Sequence, residues 1–183
     1  MTAAVMLCAG GSTRFAGDQH KLLAPFRGRP LVTWALENAA NANLDEVIVV
    51  VGSLDLSAVL DIQIVVINPE WISGQASSLQ AGIAAAKQRG HDMVVVGLGD
   101  QPLIPASAWL STAATDSPIA VATFGGHRSP PVRLVRDVWP LLPTTGDIGA
   151  RELMRTRPDL VREVACEGCP IDIDTQQDIA LWN

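Results

Sequence analysis

Three short stretches of this 183-residue chain carry residues whose types and spacing suit the handling of a polyanion. In the first, Leu7-Cys8-Ala9-Gly10-Gly11-Ser12-Thr13-Arg14, two adjacent glycines let the backbone turn and approach a ligand without a Cβ in the way. Successive N–H groups there would make an anion-binding nest, and the Ser12 and Thr13 hydroxyls add donors. Arg14 and Lys21 supply two cations, a planar fork and a mobile point charge. The second stretch, Gly99-Asp100-Gln101-Pro102, puts a carboxylate directly after an apolar run, where it must be paired, exposed in a cleft or bound to a cation. In the third, Asp172-Ile173-Asp174-Thr175, two carboxylates alternate with isoleucine and project to one side. Paired acids near a strand end can complete a divalent-metal site. A further polar stretch, Gly74-Gln75-Ala76-Ser77-Ser78, places N–H groups and hydroxyls at a helix start, where the polar edges of a ligand could be read.

Each stretch also has a plainer reading. The first lacks the Gly-Lys-Ser/Thr ending of a Walker A loop, and Gly10, Gly11 and Gly17 do not fit G-x-G-x-x-G. It could be a surface turn after a strand. Asp100 could cap the turn before Pro102, and Asp174 could cap the final helix. His127 could serve as an acid or base near neutral pH, or be a solvated loop residue. Cys166-x-x-Cys169 lacks a second ligand pair, so a turn between strands competes with a zinc or redox role. Cys8 reads as a small core residue.

The elements that must position these residues alternate along the chain. Ala3 to Leu7, Val47 to Val51, Gln63 to Ile67, Met93 to Leu98, Ile119 to Thr123, Val132 to Val135, Val161 to Ala165 and Pro170 to Ile173 read as strands. The unbroken apolar runs among them predict burial on both faces. Leu31 to Ala42, Asp55 to Leu60, Ser77 to Arg89, Ala106 to Ala114, Asp137 to Leu142 and a segment opening at Gly146-Asp147 read as helices, with Ser77 or Ser78 and Asp147 as N-caps. Leu22 to Phe26 reads as extended, and Gly125 to Pro131 as a long loop. Thr175 with Asp178 resembles a capping box for a last helix. On the Ser77 helix, Leu79, Gly82, Ile83 and Ala86 share a face. Gly82 should cost about 1 kcal/mol against Ala, with close helix-to-sheet contact as compensation. The alternation predicts an α/β fold, a single-domain, Rossmann-like three-layer sandwich with a mostly parallel twisted sheet and helices on both faces. In such a sheet the first and fourth strands lie together where strand order reverses, so Asp100 should face Gly10 and Gly11.

Composition narrows the function. With 48% apolar and 17% charged residues the chain can bury a core. A net charge of -6 disfavours a nucleic-acid partner, whose binding depends on neutralising phosphates. No apolar run approaches the roughly 18 residues of a membrane span, and the N-terminus lacks a charged n-region and cleavage site. A cytoplasmic protein is expected, and three cysteines argue against a disulfide framework.

Taken together, these motifs resemble the nucleotidyltransferases of the molybdenum cofactor cytidylyltransferase type, MobA-like relatives of the sugar-nucleotide pyrophosphorylases. Leu7 to Arg14 is similar to that family's nucleotide loop, and Lys21 to the lysine that steadies the triphosphate. Asn68, Gly74, Ser77, Ser78 and Gly82 are similar to the segment flanking base and acceptor. Gly99 to Pro102 resembles the metal motif, while Gly146-Asp147-x-Gly-Ala-Arg151 and Asp172 to Thr175 match C-terminal signatures. The resemblance implies one nucleotidyltransferase domain over residues 1–183, moving a nucleoside monophosphate from CTP to a phosphate of a pterin and releasing pyrophosphate. It implies Arg14, Lys21 and Asp100 as catalytic, and Leu7, Ala9, Gly10, Gly11, Ser12, Thr13, Gly74, Ser77 and Ser78 as nucleotide-binding beside them. It implies Mg²⁺ on Asp100 and Asp174, and a molybdoenzyme apoprotein as a recipient of the product. Ala9 and Gln101 look like the CTP branch, since relatives using GTP usually carry Gly and often Met or Ser there. Two departures stand out. The segment from Arg14 to Lys21 is two residues longer than usual, and Ser129-Pro130-Pro131 replaces Gly-His-Pro. A guanylyltransferase, a cofactor-binding chaperone and a Rossmann oxidoreductase are the competing functions.

Overall fold

A computed structural model describes residues 1–13, 15, 19–57, 59 and 64–183. The strands are β1 (Thr2–Cys8), β2 (Pro25–Phe26), β3 (Arg29–Pro30), β4 (Glu46–Val51), β5 (Ile64–Ile67), β6 (Met93–Leu98), β7 (Ile119–Phe124), β8 (His127–Val135) and β9 (Val161–Ala165). The helices are α1 (Leu31–Asn41), α2 (Gln75–Gln88), α3 (Ala106–Ala114), α4 (Arg151–Thr156) and α5 (Gln176–Trp182). Seven strands form one sheet in the order β5-β4-β1-β6-β8-β7-β9, and β2 and β3 form a separate small hairpin. All neighbours in the large sheet are parallel except at β8, which runs against both β6 and β7.

The sheet is covered on both faces, which explains why its central strands are apolar without alternation. Ala4, Met6 and Cys8 of β1 join Leu31, Val32 and Ala35 of α1 and Trp109 of α3 on one side. Ala3, Val5 and Leu7 join Leu79, Ile83 and Ala86 of α2 and Leu153 and Met154 of α4 on the other. Gly82 faces the sheet as its pattern predicts. A Cβ built on it would lie 2.5 Å from Val5 Cγ1 and 3.1 Å from Val50 Cγ2, so only glycine lets α2 approach so closely.

Several predicted elements differ. Gly125 and Gly126 form a two-residue turn with φ of 57° and 84°, joining β7 to β8 as a hairpin in place of a long loop. The register shifts so that Val121 pairs Val132 and Ala122 pairs Ser129, leaving Pro130 and Pro131, which lack N–H donors, outside the ladder. Pro170 to Ile173 is not a strand, because β9 ends at Ala165 and the chain leaves the sheet edge to cross back to β6. There Ile173, fully buried, donates its N–H to Asp100 O at 3.0 Å. The helix predicted from Gly146-Asp147 begins only at Arg151, since Gly146 and Gly149 have φ of 91° and 53°. Asp147 is therefore no N-cap. Likewise α2 begins at Gln75, two residues before the predicted Ser77, with Gly74 at its cap position. Arg136–Leu141 is 3₁₀ helix, Pro140 lying inside it, and Lys21–Leu23 is a 3₁₀ turn where extended chain was predicted from Leu22. Within the predicted helix at Asp55 a turn closes by Val59 N–H to Leu56 O. Leu60, Gln63, Arg14 and the Ala16-Gly17-Asp18 turn lie outside the described residues.

Candidate active site

The strand order reverses between β1 and β6, and their carboxyl ends open on a common crevice. Gly99 N–H bonds to Leu7 O at 3.0 Å, and a Cβ on Gly99 would stand 2.6 Å from Cys8 Sγ. This contact brings Asp100 out beside the chain leaving β1. That chain, Ala9 to Thr13, is tied at two points by residues that follow it. Ser12, at φ 52°, accepts the Lys21 N–H on its hydroxyl at 2.9 Å. His20 Nδ1 accepts from Leu22 N–H at 3.2 Å, so Nε2, 2.9 Å from Gly10 O, is the donor. Burial and the nearby Lys21 charge lower the imidazole pKa against the opposing Gly10 bond, in keeping with this neutral tautomer.

Lys21, Asp100 and Asp174 meet at the centre. Lys21 Nζ donates to Asp100 Oδ2 and to Asp174 Oδ1, both at 2.6 Å, with only 11% of the lysine side chain exposed. Burial by itself would lower the lysine pKa; the Asp100 charge and the bonds to both carboxylates outweigh it and hold the ammonium above its usual value. Asp174 is not the cap of α5. Thr175 Oγ1 accepts from Asp178 N–H at 3.1 Å and Asp178 Oδ2 accepts from Thr175 N–H at 2.8 Å, the predicted capping box. The Asp174 carboxylate thereby faces Lys21. A third acid, Asp172, is held by Gln101 Nε2 at 2.8 Å, and burial followed by the Asp100 charge raises its pKa. Lys21, Asp100, Asp172 and Asp174 line a cavity of about 270 Å³ together with Gly10, Gly11, Ser12 and Thr13.

A second cavity of about 680 Å³ opens from the same loop and includes Ala9, Trp71, Gly74, Gln75, Ser78 and Asp147. Trp71 forms its wall by lying on two glycines, since a Cβ at Gly11 or Gly52 would come within 2.9 Å or 2.7 Å of the indole. Asn68 Nδ2 donates to Ser77 at 2.9 Å and Ser78 at 3.0 Å, locking the turn into α2. Ser77 donates onward to Gly74 O and Glu70 O, so its hydroxyl serves the turn, and it lies outside the cavity lining. A third cavity, about 320 Å³ and mainly apolar, shares Leu7, Gln75 and Leu98 with the second and is walled by Val96, Val121, Pro130 and Met154. Arg128 and Arg151 stand at its edge.

Of the residues singled out from sequence, Leu7, Ala9 to Thr13, Lys21, Gly74, Ser78, Asp100 and Asp174 line the first two cavities. Arg14 lies outside the described residues. His127 is exposed on β8 and lines none of the three cavities. Cys166 and Cys169 follow β9 as free thiols, tied by backbone bonds to Thr123 O and Leu103 O rather than placed between two strands. Cys8 is buried in the core, and burial, then the Asp100 charge, push its thiol pKa well up. His20 and Trp71 escaped the sequence reading, whereas Gln75 and Asp172 belong to stretches that it singled out. For His20 the one available signal was its position directly before Lys21.

Among the described residues no group of three or more His, Cys, Asp or Glu side chains could hold a metal ion. The pair Asp100 and Asp174 is different: two hard oxygen donors already converge on one cation, the Lys21 ammonium. Such a donor set fits Mg²⁺ or Mn²⁺, which take carboxylate oxygens and complete their shell with water or phosphate.

Comparison with known proteins agrees with the fold. Residues 4–163 match the family described as MobA-like NTP transferase domain. The chain is 32% identical over 192 residues to nicotine blue oxidoreductase of Paenarthrobacter nicotinovorans, covering 96% of this chain and 93% of that protein. Rv0371c of Mycobacterium tuberculosis superposes with a TM-score of 0.85 at 28% identity, covering 99% of this chain and 96% of that one. A manganese complex of Rv0371c superposes at 0.80 with 26% identity, covering 99% and 97%.

Proposed function

The chain belongs to the MobA-like NTP transferase family, and from that premise we propose that it transfers a cytidylyl group from CTP to the terminal phosphate of a pterin, the molybdenum cofactor or its precursor. The observation that carries the reading is the meeting of Lys21, Asp100 and Asp174 with the Gly10 to Thr13 loop in one cavity where the strand order reverses. An acceptor phosphate oxygen forms the new bond to the α-phosphorus while the bond to the bridging oxygen breaks and pyrophosphate leaves with the electron pair. Loop N–H groups and the Ser12 and Thr13 side of the cavity hold the departing oxygens, and Arg14 and Lys21 supply positive charge to them. Asp100 and Asp174 would hold Mg²⁺, which when bound neutralises charge at the α-phosphate and orients the two oxygens. A phosphate acceptor is already ionised at neutral pH, so no general base is needed. His127, exposed and lining none of the three cavities, is consistent with that.

The second cavity suits the nucleoside. Ala9 lines it at the position where relatives using GTP usually carry glycine, which supports CTP over GTP. The third cavity suits the acceptor ring, its apolar walls covering flat faces while Gln75, Ser129, Arg128 and Arg151 meet polar edges. Pyrophosphate release from CTP with Mg²⁺ and molybdopterin tests the reading; equal or faster release from GTP would move the protein to guanylyl transfer. A molybdoenzyme apoprotein is the fitting recipient of the product.

One relative favours a second reading. Nicotine blue oxidoreductase aligns nearly end to end with this chain, and the apolar third cavity could take a heteroaromatic substrate for reduction. Oxidation of NADH or NADPH by nicotine blue, in the absence of pyrophosphate release, would select it.

A further inference from the structure

Lys21 stands between the two carboxylates that the proposed function gives to a divalent ion. Its Nζ is 2.6 Å from one oxygen of Asp100 and 2.6 Å from one of Asp174, in a pocket where Asp172 adds a third carboxylate. Without a cation between them, Asp100 and Asp174 would repel each other in a poorly solvated cleft. The ammonium and a dication cannot both sit between the same two oxygens, because like charges at contact distance in a part-buried site repel strongly. The lysine main chain is anchored independently of its side chain: its N–H bonds to Ser12 Oγ at 2.9 Å and its carbonyl accepts from Ala24 N–H at 3.1 Å. The four-carbon stem can therefore swing while the backbone stays.

We propose that Lys21 is a built-in counter-ion that exchanges with the divalent metal, leaving Asp100 and Asp174 when the ion binds and remaining in the same cavity as the cation offered to the nucleotide phosphates. Three carboxylates and one ammonium carry a net charge of -2 among the described side chains of this cavity, and a dication brings them to neutrality with the lysine retained. The exchange thus holds the empty site together and couples metal entry to delivery of the lysine. It rests on the metal-dependent reading above.

The chain has two lysines, Lys21 and the exposed Lys87 on α2, so each can be followed separately. Nucleotide-free protein is acylated with an N-hydroxysuccinimide ester, with and without saturating Mn²⁺, and each lysine is read by peptide mass spectrometry. Metal-free Lys21 should react at least about tenfold more slowly than Lys87, and Mn²⁺ should accelerate Lys21 at least about threefold with Lys87 unchanged. Mn²⁺ bound by electron paramagnetic resonance with Lys21 labelling unchanged or slower would overturn the exchange, as would absence of Mn²⁺ binding. Lys21→Met should bind Mn²⁺ about tenfold more tightly than wild type; equal affinity would also overturn it. Pyrophosphate release is scored separately. Its absence with the labelling response intact would refute nucleotidyl transfer and leave the exchange standing.

Discussion

His20 and Gly10 are joined across the loop that follows β1, the imidazole Nε2 donating to the Gly10 carbonyl oxygen at 2.9 Å while Nδ1 takes the Leu22 N–H. One neutral ring thereby clamps the loop at its base, next to the bond from Lys21 N–H to Ser12. Replacing His20 with Ala should loosen the loop without touching a reacting group. Losing one such bond costs about 0.5–1.5 kcal/mol, so KM for the nucleotide should rise roughly two- to tenfold with kcat changed less. Steady-state kinetics check this, and an unchanged KM would remove His20 from the positioning role.

The same residue predicts a pH dependence. The folded His20 pKa is lowered from its usual 6.5, chiefly by burial. The unfolded chain therefore takes up a proton first as pH falls, and stability from the neutral ring is complete above 6.5 and lost below it. Melting temperatures of wild type and His20→Ala should differ most above neutral pH and converge on acidification. A constant gap between pH 5 and 8 would contradict the assignment.

Asp100→Asn should leave the fold intact, because Lys21 keeps Asp174 as a partner. Loss of one charged oxygen at the proposed metal position should cut turnover by about 10²-fold or more at saturating Mg²⁺. Circular dichroism with pyrophosphate release separates the two effects, and near-normal turnover would exclude Asp100 as a metal ligand.

Gly74 carries φ of +112°, and a Cβ there would lie 2.5 Å from the backbone of Gly146. Gly74→Ala should push the Gly146 to Gly149 segment away from α2 and destabilise by about 1–3 kcal/mol. Gly90→Ala is the control, with φ of +82° but open space around it, and should cost less. Denaturant titration of both variants reads the difference; equal losses would show that backbone conformation alone is at stake.

Gly82→Ala separates local from tertiary control. Helix propensity favours alanine there by about 1 kcal/mol. The Val5 methyl 2.5 Å from the added Cβ says the opposite, and overpacking of this kind costs about 1–3 kcal/mol. A net loss of stability is expected, and a gain would mean that α2 can move off the sheet.

Much of the architecture was legible in the order of residues. Met93 to Leu98, Ala106 to Ala114 and Val161 to Ala165 are elements with those bounds, and the Thr175 and Asp178 capping box is present. These features depend on near neighbours: an unbroken apolar run needs cover on both faces, and a cap bonds three residues along the chain. The reversal of strand order at β1 and β6 also followed, because a strand-helix alternation leaves few other ways to close a parallel sheet. The end of the chain was misread for the complementary reason. Asp172 and Asp174 do alternate with buried Ile173, but that alternation is imposed by packing against Asp100, not by a strand ladder.

Residue type and short-range period fix which side chains can bind phosphate or metal and that the fold is a layered α/β sandwich. Long-range packing alone puts Lys21 between two acids 79 and 153 residues distant, sets His20 on Gly10 and rests Trp71 on Gly11 and Gly52. Those contacts depend on the order of strands in the sheet and on how closely layers approach, and packing across the sheet settles both where no local pattern can.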